Sequence, residues 1–356
     1  MNAFIRKYKY SALLIGLICG VLTACTWKPQ SSAKSRVVNL AIWSNYLSAD
    51  LVSAFQKRTG IQVQMSNYSS NEELLAKLQA GASGYDVVVP SDYMVFSMIK
   101  LGLLHELDYS QLPHSRSLDP KFLKKSYDPT NKYSVPYDWG TTGIAVSRTL
   151  YKGSIKGWKD LFQNEDLSGK FSLLDDSREV LGAALKAQGH SLNSKKSAEL
   201  QEAKALLLKA RRRVKAFTSE PLMPLVNSET AVAHIFMSDA LQARKAVGEK
   251  IDYIIPEEGG TFWVDNLVVP LGATHLVEAY EFINFLLEGK SNASTVMSVF
   301  VAPTNSGTFA QLPLEYQLNQ TLFPAASALV HCEMIEDLGD SLAEWDRVWT
   351  EIKAYE

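Results

Sequence analysis

From residue 36 onward, strand-like and helix-like hydrophobic patterns alternate along the chain. The segments RVVNLAIW, IQVQMSNY and YDVVVPS are short apolar or alternating runs of the kind that form strands. The segment SADLVSAFQKRTG separates the first two and is predicted to be a helix, with Ser48 as its N-cap and Gly60 as its stop. In the next helical segment, SNEELLAKLQAG, Ser70 and Glu73 have capping-box spacing. This β-α-β-α-β order predicts an α/β fold with a mostly parallel sheet.

A second alternating region follows the segment VPYDWGTTGIAVS. Helical patterns occupy EVLGAALKAQG and KKSAELQEAKALLLKA, and TAVAHIFMSDALQARKAVG is predicted to be a strand followed by a helix. The strand-like VDNLVVP, the helical LVEAYEFINFLLEG and an amphipathic C-terminal segment complete the chain. The 356 residues are enough for two domains, each with its own hydrophobic core.

The N-terminal segment does not share this alternation. A basic stretch, an apolar run too short to span a bilayer and the sequence LTAC predict a secretory signal peptide over residues 1–24. LTAC also resembles a bacterial lipobox, which implies that Cys25 becomes a lipidated N-terminus on a flexible tether, residues 25–35. The alternative is an ordinary signal peptide with a cysteine at the cleavage point. With Cys19 removed and Cys25 lipidated, Cys332 has no partner for an intramolecular disulfide.

Composition and motifs argue against several classes of function. The net charge of −2 gives no support for nucleic-acid binding, and the basic KARRRVK cluster is predicted to be a solvated helix face. The sequence has no G-x-S-x-G or H-E-x-x-H motif, and EGKS lacks the upstream glycine of a P-loop. The six histidines show no metal-ligand spacing, so His234 is predicted to be a packed or rim side chain, and no metal or cofactor is expected.

Carboxylates cluster in the segment LLDDSREV, directly after a strand-like run and at the start of a predicted helix. Asp176 and Glu179 are three residues apart and would share one helix face, next to Asp175. A carboxylate at a helix N-terminus is also a common cap, which would account for one of these acids. Paired acids can bind a cation or serve acid–base catalysis as in glycosidases, and the pair alone leaves both possibilities open.

Aromatic side chains recur where predicted strands end. Trp43 and Tyr46 follow one strand, and Tyr93 follows another. The strand-like TFWVDNLVVP places Trp263 and Asp265 two positions apart, so that both lie on one face. Ligands of open α/β sheets bind beyond the carboxyl ends of the strands, where aromatic faces attract ammonium groups and carboxylates anchor them. The pattern predicts a slot for an elongated organic cation.

At these segments the sequence resembles the spermidine/putrescine-binding proteins of bacterial ABC importers. The resemblance runs from about residue 37 to the C-terminus, and DDSREV and EEGGTFWVDNLVVP are its most specific segments. It implies a two-lobed class II periplasmic-binding-protein fold with the ligand in the inter-lobe cleft. Lobe 1 would comprise residues 36–141 plus 264–308, and lobe 2 residues 142–263 plus 309–356.

The resemblance also implies a ligand-binding set. Matching the family's segments residue by residue gives Trp43, Ser44, Tyr46, Ser91, Tyr93, Asp176, Glu179, Ser219, Phe236, Trp263 and Asp265. The chain departs from the family pattern at four positions, where Phe236 replaces a tryptophan, Asn45 an acid, Val301 a tyrosine and Ile335 a glutamine. Asp92 and Asp138 are candidates to replace the missing charge, although either could simply be solvated.

These observations predict a monomeric, lipid-anchored periplasmic protein that captures a polyamine and delivers it to a membrane ABC permease. Neither nucleic-acid binding nor enzymatic activity is expected. One alternative keeps the fold and replaces the polyamine by another organic cation. A second alternative is an exported hydrolase that uses Asp176 and Glu179 as its acid pair.

Overall fold

The computed structural model describes residues 36–81, 84–248 and 250–355. The predicted signal peptide, Cys25 and the predicted tether lie outside these ranges. The described chain begins with β1 (Val37–Trp43), α1 (Ala49–Thr59), β2 (Gln62–Tyr68), α2 (Asn71–Gln79), β3 (Val87–Val88), α3 (Asp92–Lys100) and β4 (Ser134–Ser147). It continues with α4 (Trp158–Gln163), β5 (Phe171–Leu174), α5 (Ser177–Ala187), α6 (Ser197–Arg211), β6 (Val214–Thr218), α7 (Leu222–Val226), β7 (Val232–Phe236), α8 (Met237–Val247), β8 (Ile251–Ile254) and β9 (Phe262–Val268). The last elements are α9 (Leu276–Leu287), α10 (Gly289–Val299), β10 (Ala302–Pro303), α11 (Ser306–Phe309), α12 (Leu314–Gln317) and α13 (Leu342–Ala354).

The helix boundaries predicted from capping residues are confirmed. The Ser48 hydroxyl accepts the N–H of Leu51 at 3.2 Å, and Gly60 ends α1 with φ = 72°, a conformation that glycine adopts without a steric penalty. Ser70 accepts the N–H of Glu73 at 3.1 Å at the start of α2. The Glu73 carboxylate accepts the N–H of Ser69 rather than that of the N-cap itself, so the capping box is shifted by one residue on this side.

The strands described here form one sheet in the order β2-β1-β3-β9-β4-β7-β5-β6, with β8 and β10 paired to β4. The pairs of β1 with β2 and β3, and of β5 with β6 and β7, are parallel. The central pairs of β4 with β9 and β7 are antiparallel. The predicted mostly parallel sheet is therefore correct for the two outer groups and wrong for the centre. The chain passes from one group to the other along β4 and returns along β9, so these two strands run in opposite directions.

A separate hydrophobic core lies beside each parallel group, as a two-lobed fold requires. The core beside β1 contains Phe55 and Phe282, whose ring centroids are 5.0 Å apart. The core beside β5 contains Trp158 and Trp345, each about 1% exposed. β4 exchanges its partner from β9 to β7 between residues 141 and 142, where the sequence predicts a crossing between lobes. The complete limits of the two lobes stay a prediction. In the described part of the chain, no helix has the length and apolar character that spanning a membrane requires.

Candidate functional site

A single cleft lies at the carboxyl ends of both parallel groups, with about 1070 Å³ of empty space that includes its opening to solvent. All the residues of the predicted ligand-binding set line it, namely Trp43, Ser44, Tyr46, Ser91, Tyr93, Asp176, Glu179, Ser219, Phe236, Trp263 and Asp265. These residues come from segments more than 200 positions apart in the chain. Tertiary structure therefore brings together the whole set that the family resemblance implies, and its aromatic members at strand ends lie where the strand-end argument predicts.

The side of the cleft that follows β1, β2 and β3 is rich in aromatic rings, and we call it the aromatic face: Trp43, Tyr46, Tyr68 and Tyr93. Trp43 Nε1 donates to the carbonyl of Val89 at 2.9 Å, and the Tyr68 hydroxyl donates to the same carbonyl at 2.5 Å. The two ring centroids are 4.7 Å apart. Because both rings are anchored on one backbone atom, this wall keeps its shape without a ligand.

Hydrogen bonds also hold the residues that follow β3. The backbone N–H of Ser91 donates to Oδ1 of Asn71 at 3.2 Å, and Nδ2 of Asn71 donates to the Tyr93 hydroxyl at 3.0 Å. Asp92 is buried, and its carboxylate accepts the N–H groups of Tyr93 at 2.7 Å and Val264 at 3.1 Å. Asp92 lines the cleft, but these two bonds give it a structural task at the junction of α3 and β9.

Trp263 and Asp265 point from β9 into the middle of the cleft. Trp263 is 8% exposed, and its Nε1 has no hydrogen-bond partner among the described residues. The ring lies directly over Gly140 of β4, where a Cβ atom would be only 2.4 Å from Cζ2 of Trp263. A glycine is therefore required at position 140 for the indole to occupy this place.

Asp265 accepts the Ser91 hydroxyl at 2.8 Å, so this acid connects the central strand to the aromatic face. Burial raises the pKa of Asp265 to about 6, and the hydrogen bond from Ser91 limits the rise. The hydroxyl of Tyr46 is near enough to influence that pKa, yet it forms no hydrogen bond within the described structure. An ammonium group beside Asp265 would relieve the cost of burying this carboxylate.

The opposite side of the cleft, which follows β5, β6 and β7, carries a row of acids that we call the acidic face: Asp175, Asp176, Glu179, Glu220 and Asp239. Asp176 is the N-cap of α5, and its Oδ1 accepts the N–H groups of Arg178 at 2.8 Å and Glu179 at 3.1 Å. The expectation that Asp176 and Glu179 share a helix face is therefore wrong in detail. The capping explanation holds for Asp176, which precedes the helix, and Glu179 lies in its first turn.

Glu179 is 5% exposed and is held by threonine hydroxyls on both oxygens, from Thr142 at 2.9 Å and Thr261 at 2.7 Å. Burial, reinforced by the charge of Asp176, raises the pKa of Glu179 to about 8. His234 lies behind it with Nε2 4.0 Å from a carboxylate oxygen, and burial lowers the pKa of this histidine to about 3. His234 is therefore neutral, packs edge-on against Trp158 as a buried ring, and contributes no countercharge.

The charge lining the cleft has one sign. No lysine, arginine or histidine of the described ranges lines it. Seven carboxylates do: Asp92, Asp175, Asp176, Glu179, Glu220, Asp239 and Asp265. The same described residues contain no group of three His, Cys, Asp or Glu side chains that could hold a metal ion. A cleft of this charge attracts organic cations and repels anionic ligands.

The sequence-based search missed several lining residues. Asp239 lies in the first turn of α8, and its carboxylate makes no hydrogen bond or ion pair with another described residue. Burial raises the pKa of Asp239 to about 7, with a further increase from Glu220. The sequence feature that could have revealed Asp239 is its position three residues after Phe236, which ends a predicted strand. Glu220 follows the predicted Ser219 directly, and Tyr68 ends a predicted strand in the same way as Trp43.

Two expectations about the departures from the family pattern need correction. Val301 is completely buried in the core beside β1 and does not line the cleft, so it makes no direct change to the site. Asp138 is neither solvated nor in the cleft, because it is 0% exposed and accepts Nδ2 of Asn292 at 3.0 Å. Asn45 and Ile335 do line the cleft.

Comparison with known proteins agrees with this geometry. Residues 50–321 match the family described as bacterial extracellular solute-binding protein. The chain is 34% identical to spermidine/putrescine-binding periplasmic protein 1 of Haemophilus influenzae, over 97% of this chain and 99% of that protein. It is 33% identical to a putrescine/cadaverine-binding protein of Pseudomonas aeruginosa, over 94% of this chain and 98% of that protein.

Solved structures give the same result. The TpPotD lipoprotein of Treponema pallidum has a TM-score of 0.79 and 30% identity, covering 89% of this chain and 99% of that chain. The family match spans most of the chain, and the alignment with the Haemophilus influenzae relative covers nearly all of both proteins. The chain therefore belongs to the bacterial extracellular solute-binding proteins and, among them, to the family of periplasmic spermidine/putrescine-binding proteins.

Proposed function

We propose that this protein captures a linear polyamine outside the cytoplasm and delivers it to a membrane ABC importer. The observation that supports the proposal is the cleft itself, in which the aromatic and acidic faces meet and no cationic side chain of the described residues intervenes. A polyamine is a chain of methylene groups between ammonium groups. It therefore needs apolar walls and separated negative charges, and the cleft offers both.

In the proposed complex, Asp265 anchors one ammonium group, and Asp176 together with Glu179 anchors another. The rings of the aromatic face, Phe236 and Trp263 enclose the methylene chain and face the charges. Ser44, Ser91 and Ser219 supply the remaining polar contacts. Each buried ammonium must be paired, since an isolated buried charge costs several kcal/mol. Burial raises the pKa values of Glu179 and Asp265, so the charged forms of these acids would also be stabilised by a nearby ammonium group, which supports the pairing.

Delivery to an importer requires that the loaded protein differ in structure from the empty protein. A ligand that contacts both groups of parallel strands stabilises only the closed arrangement of the two lobes, because an open cleft satisfies one face at a time. We propose that a membrane permease reads this closed state, and that the protein acts as a monomer. The relative from Haemophilus influenzae is named a spermidine/putrescine-binding periplasmic protein, which supports this role.

We also propose that Cys25 carries lipid and anchors the mature protein to a membrane. The lipobox-like LTAC supports this, and the relative from Treponema pallidum is named a lipoprotein. Mass spectrometry of the mature protein from its membrane fraction tests the proposal. A diacylglycerol adduct on Cys25 is expected in the wild type and should be lost in Cys25→Ser. A soluble wild-type protein without the adduct would contradict it.

Calorimetric titration with putrescine, cadaverine and spermidine tests the function. N-acetylputrescine, which has the same chain but only one ammonium group, is the matched control ligand. We expect binding of at least one polyamine and much weaker binding of the acetylated analogue, because one acid anchor would lose its partner. Absence of binding by all three polyamines would reject the proposal.

The first alternative keeps the fold and the cleft but has another organic cation as the ligand. This alternative draws support from Ile335 and Asn45, which place an apolar and a neutral polar side chain in the cleft where the family pattern has a glutamine and an acid. The hydrolase alternative has less support. Both oxygens of Glu179 accept threonine hydroxyls and one oxygen of Asp176 caps a helix, which suits fixed anchors better than groups that exchange protons with a substrate.

A further inference from the structure

A short segment near the C-terminus, residues 333–336, forms part of the wall of the cleft. Ile335 is its member that lines the cleft, and this side chain is 7% exposed. The first residue of the segment is attached to the start of β9, since Glu333 N–H donates to Gly260 O at 3.1 Å and Phe262 N–H donates to Glu333 O at 2.8 Å. The backbone of Ile335 itself makes no hydrogen bond with a described residue.

The side-chain amide of Asn193 holds the backbone on both sides of Ile335. Its Nδ2 donates to the carbonyl of Met334 at 2.7 Å, and its Oδ1 accepts the N–H of Glu336 at 2.8 Å. One amide group thus pairs with this backbone in the way a neighbouring strand would. Without it, the peptide groups next to Ile335 would lose their protein partners.

Arg178 determines the orientation of this amide. Its Nη2 donates to Oδ1 of Asn193 at 3.1 Å, so the oxygen must face the guanidinium and the N–H of Glu336. Arg178 is itself buried, with its guanidinium carbon 5.0 Å from the centroid of the Trp345 ring. The amide therefore has one favourable orientation, in which both of its ends bond to the segment.

We propose that Asn193, which does not line the cleft, is a positioning residue that sets the depth of the Ile335 side chain against the ligand. The inference rests on the proposed function of the cleft and adds a determinant of affinity outside it. Ile335 contributes apolar surface where the family pattern has a polar side chain. Its contact with a methylene chain depends on how deep the backbone holds it, because dispersion contacts fall off within an ångström.

A double-mutant cycle tests the proposal, with Asn193→Ala and Ile335→Ala titrated with putrescine and spermidine. We expect Asn193→Ala to weaken the better-bound amine about tenfold, and less than about twofold when residue 335 is already alanine. Such coupling is the result expected if Asn193 acts through Ile335. An equal loss in both backgrounds, or no loss at all, would overturn the proposal.

Asn305→Ala is the matched control for simple destabilisation. Asn305 is buried, donates to the carbonyl of Leu287 at 2.7 Å and accepts the N–H of Gly307 at 2.9 Å, but it does not line the cleft. This variant should lower the melting temperature while its amine affinity stays within about twofold of the wild type. If Asn193→Ala does not fold, Asn193→Asp retains an acceptor for the N–H of Glu336 and loses the donor to Met334, and its added negative charge faces Arg178. Wild-type affinity in that variant would contradict the proposal.

Hydrogen exchange in the empty protein separates this inference from the proposed function. The amide of Glu336 should exchange at least about tenfold faster in Asn193→Ala than in the wild type, whatever the cargo is. An unchanged exchange rate would reject the positioning role even if the wild type binds polyamines. Absence of polyamine binding by the wild type, with the faster exchange present, would reject the proposed function alone.

Discussion

The aromatic face and the acidic face of the cleft have the same topological origin and opposite chemistry. Each follows three strands of a parallel group, β1, β2 and β3 on one side and β5, β6 and β7 on the other. Two rings of the aromatic face, Trp43 and Tyr68, are fixed by hydrogen bonds to the backbone carbonyl of Val89 before any ligand arrives. On the other face, burial raises the pKa values of Asp176, Glu179 and Asp239, so their charged forms are disfavoured until a positive charge is present.

This difference indicates that the aromatic face contributes shape to ligand recognition and the acidic face contributes charge. A preformed aromatic wall limits which chains fit, whereas buried acids supply attraction that depends on the charge of the ligand. β9 lies between the two and carries one residue of each kind, Trp263 and Asp265. The two contributions can therefore be compared at two positions on the same face of one strand.

The largest effect is expected from removing the central charge in Asp265→Asn. The variant keeps the hydrogen bond with Ser91 but leaves one ammonium group unpaired, which should weaken polyamine binding by roughly 100-fold, about 2.7 kcal/mol. Calorimetric titration measures it, with Asp252→Asn as the control because Asp252 pairs with Arg148 outside the cleft. An affinity within a few-fold of the wild type would show that Asp265 does not anchor an ammonium group.

Gly140→Ala can displace the Trp263 ring without changing residue 263 itself. The added Cβ would lie 2.4 Å from the Trp263 ring and force the indole out of its place, weakening binding about tenfold. Gly272→Ala is the matched control, since no atom lies within 4 Å of a Cβ at that position. If the two variants bind equally well, the indole is not a necessary wall.

The acidic face should make binding dependent on pH. The pKa of Glu179 is raised to about 8 in the empty cleft, and a bound ammonium group would lower it, so binding releases protons. We expect the affinity to rise several-fold between about pH 6 and about pH 8, and Glu179→Gln to flatten the rise. Titration at several pH values provides the measurement. A profile that is equally steep in the variant would assign the proton to another acid.

The raised pKa of Glu179 has a second consequence, for the stability of the empty protein. The ordinary pKa of 4.5 applies to the unfolded chain, so the folded state binds more protons between about pH 4.5 and about pH 8. Its free energy of unfolding should therefore fall as the pH rises through this window, and saturating polyamine should reverse the fall. Thermal unfolding of the wild type and Glu179→Gln measures the difference. A wild-type stability that rises with pH in this window would contradict the assignment.

The smallest effect is expected from replacing the aromatic ring on the acidic side by a larger one in Phe236→Trp. Tryptophan is a better partner for an ammonium group than phenylalanine, by about 0.5–1 kcal/mol, so the affinity should rise by about two- to fivefold. Phe309→Trp, on an exposed ring outside the cleft, should leave the affinity unchanged. Weaker binding by Phe236→Trp would show that the cleft is already matched in shape to its ligand.

Much of the site could be predicted from the sequence because its signals are local. Ser48 and Ser70 cap helices through their own nearby N–H groups. Trp43, Tyr93 and Asp176 stand where a hydrophobic run ends, and the carboxyl ends of parallel strands meet at one edge of a sheet. Neighbours a few positions away suffice for such inferences, so the α/β class and the aromatic and acidic residues at strand ends followed from the pattern, whereas Ser44, Ser219 and Phe236 were implied by the family resemblance.

The rest was decided by tertiary structure. The antiparallel centre of the sheet, the burial of Asp138 and Val301, and the entry of Asp239 into the cleft all depend on segments far apart in the chain. Asp239 and Asp138 are both acids within otherwise apolar stretches, and only their distant neighbours place one in the cleft and the other against Asn292. Burial and charge pairing are properties of the assembled neighbourhood, because desolvation depends on every group that packs around a side chain and not on its position in the sequence.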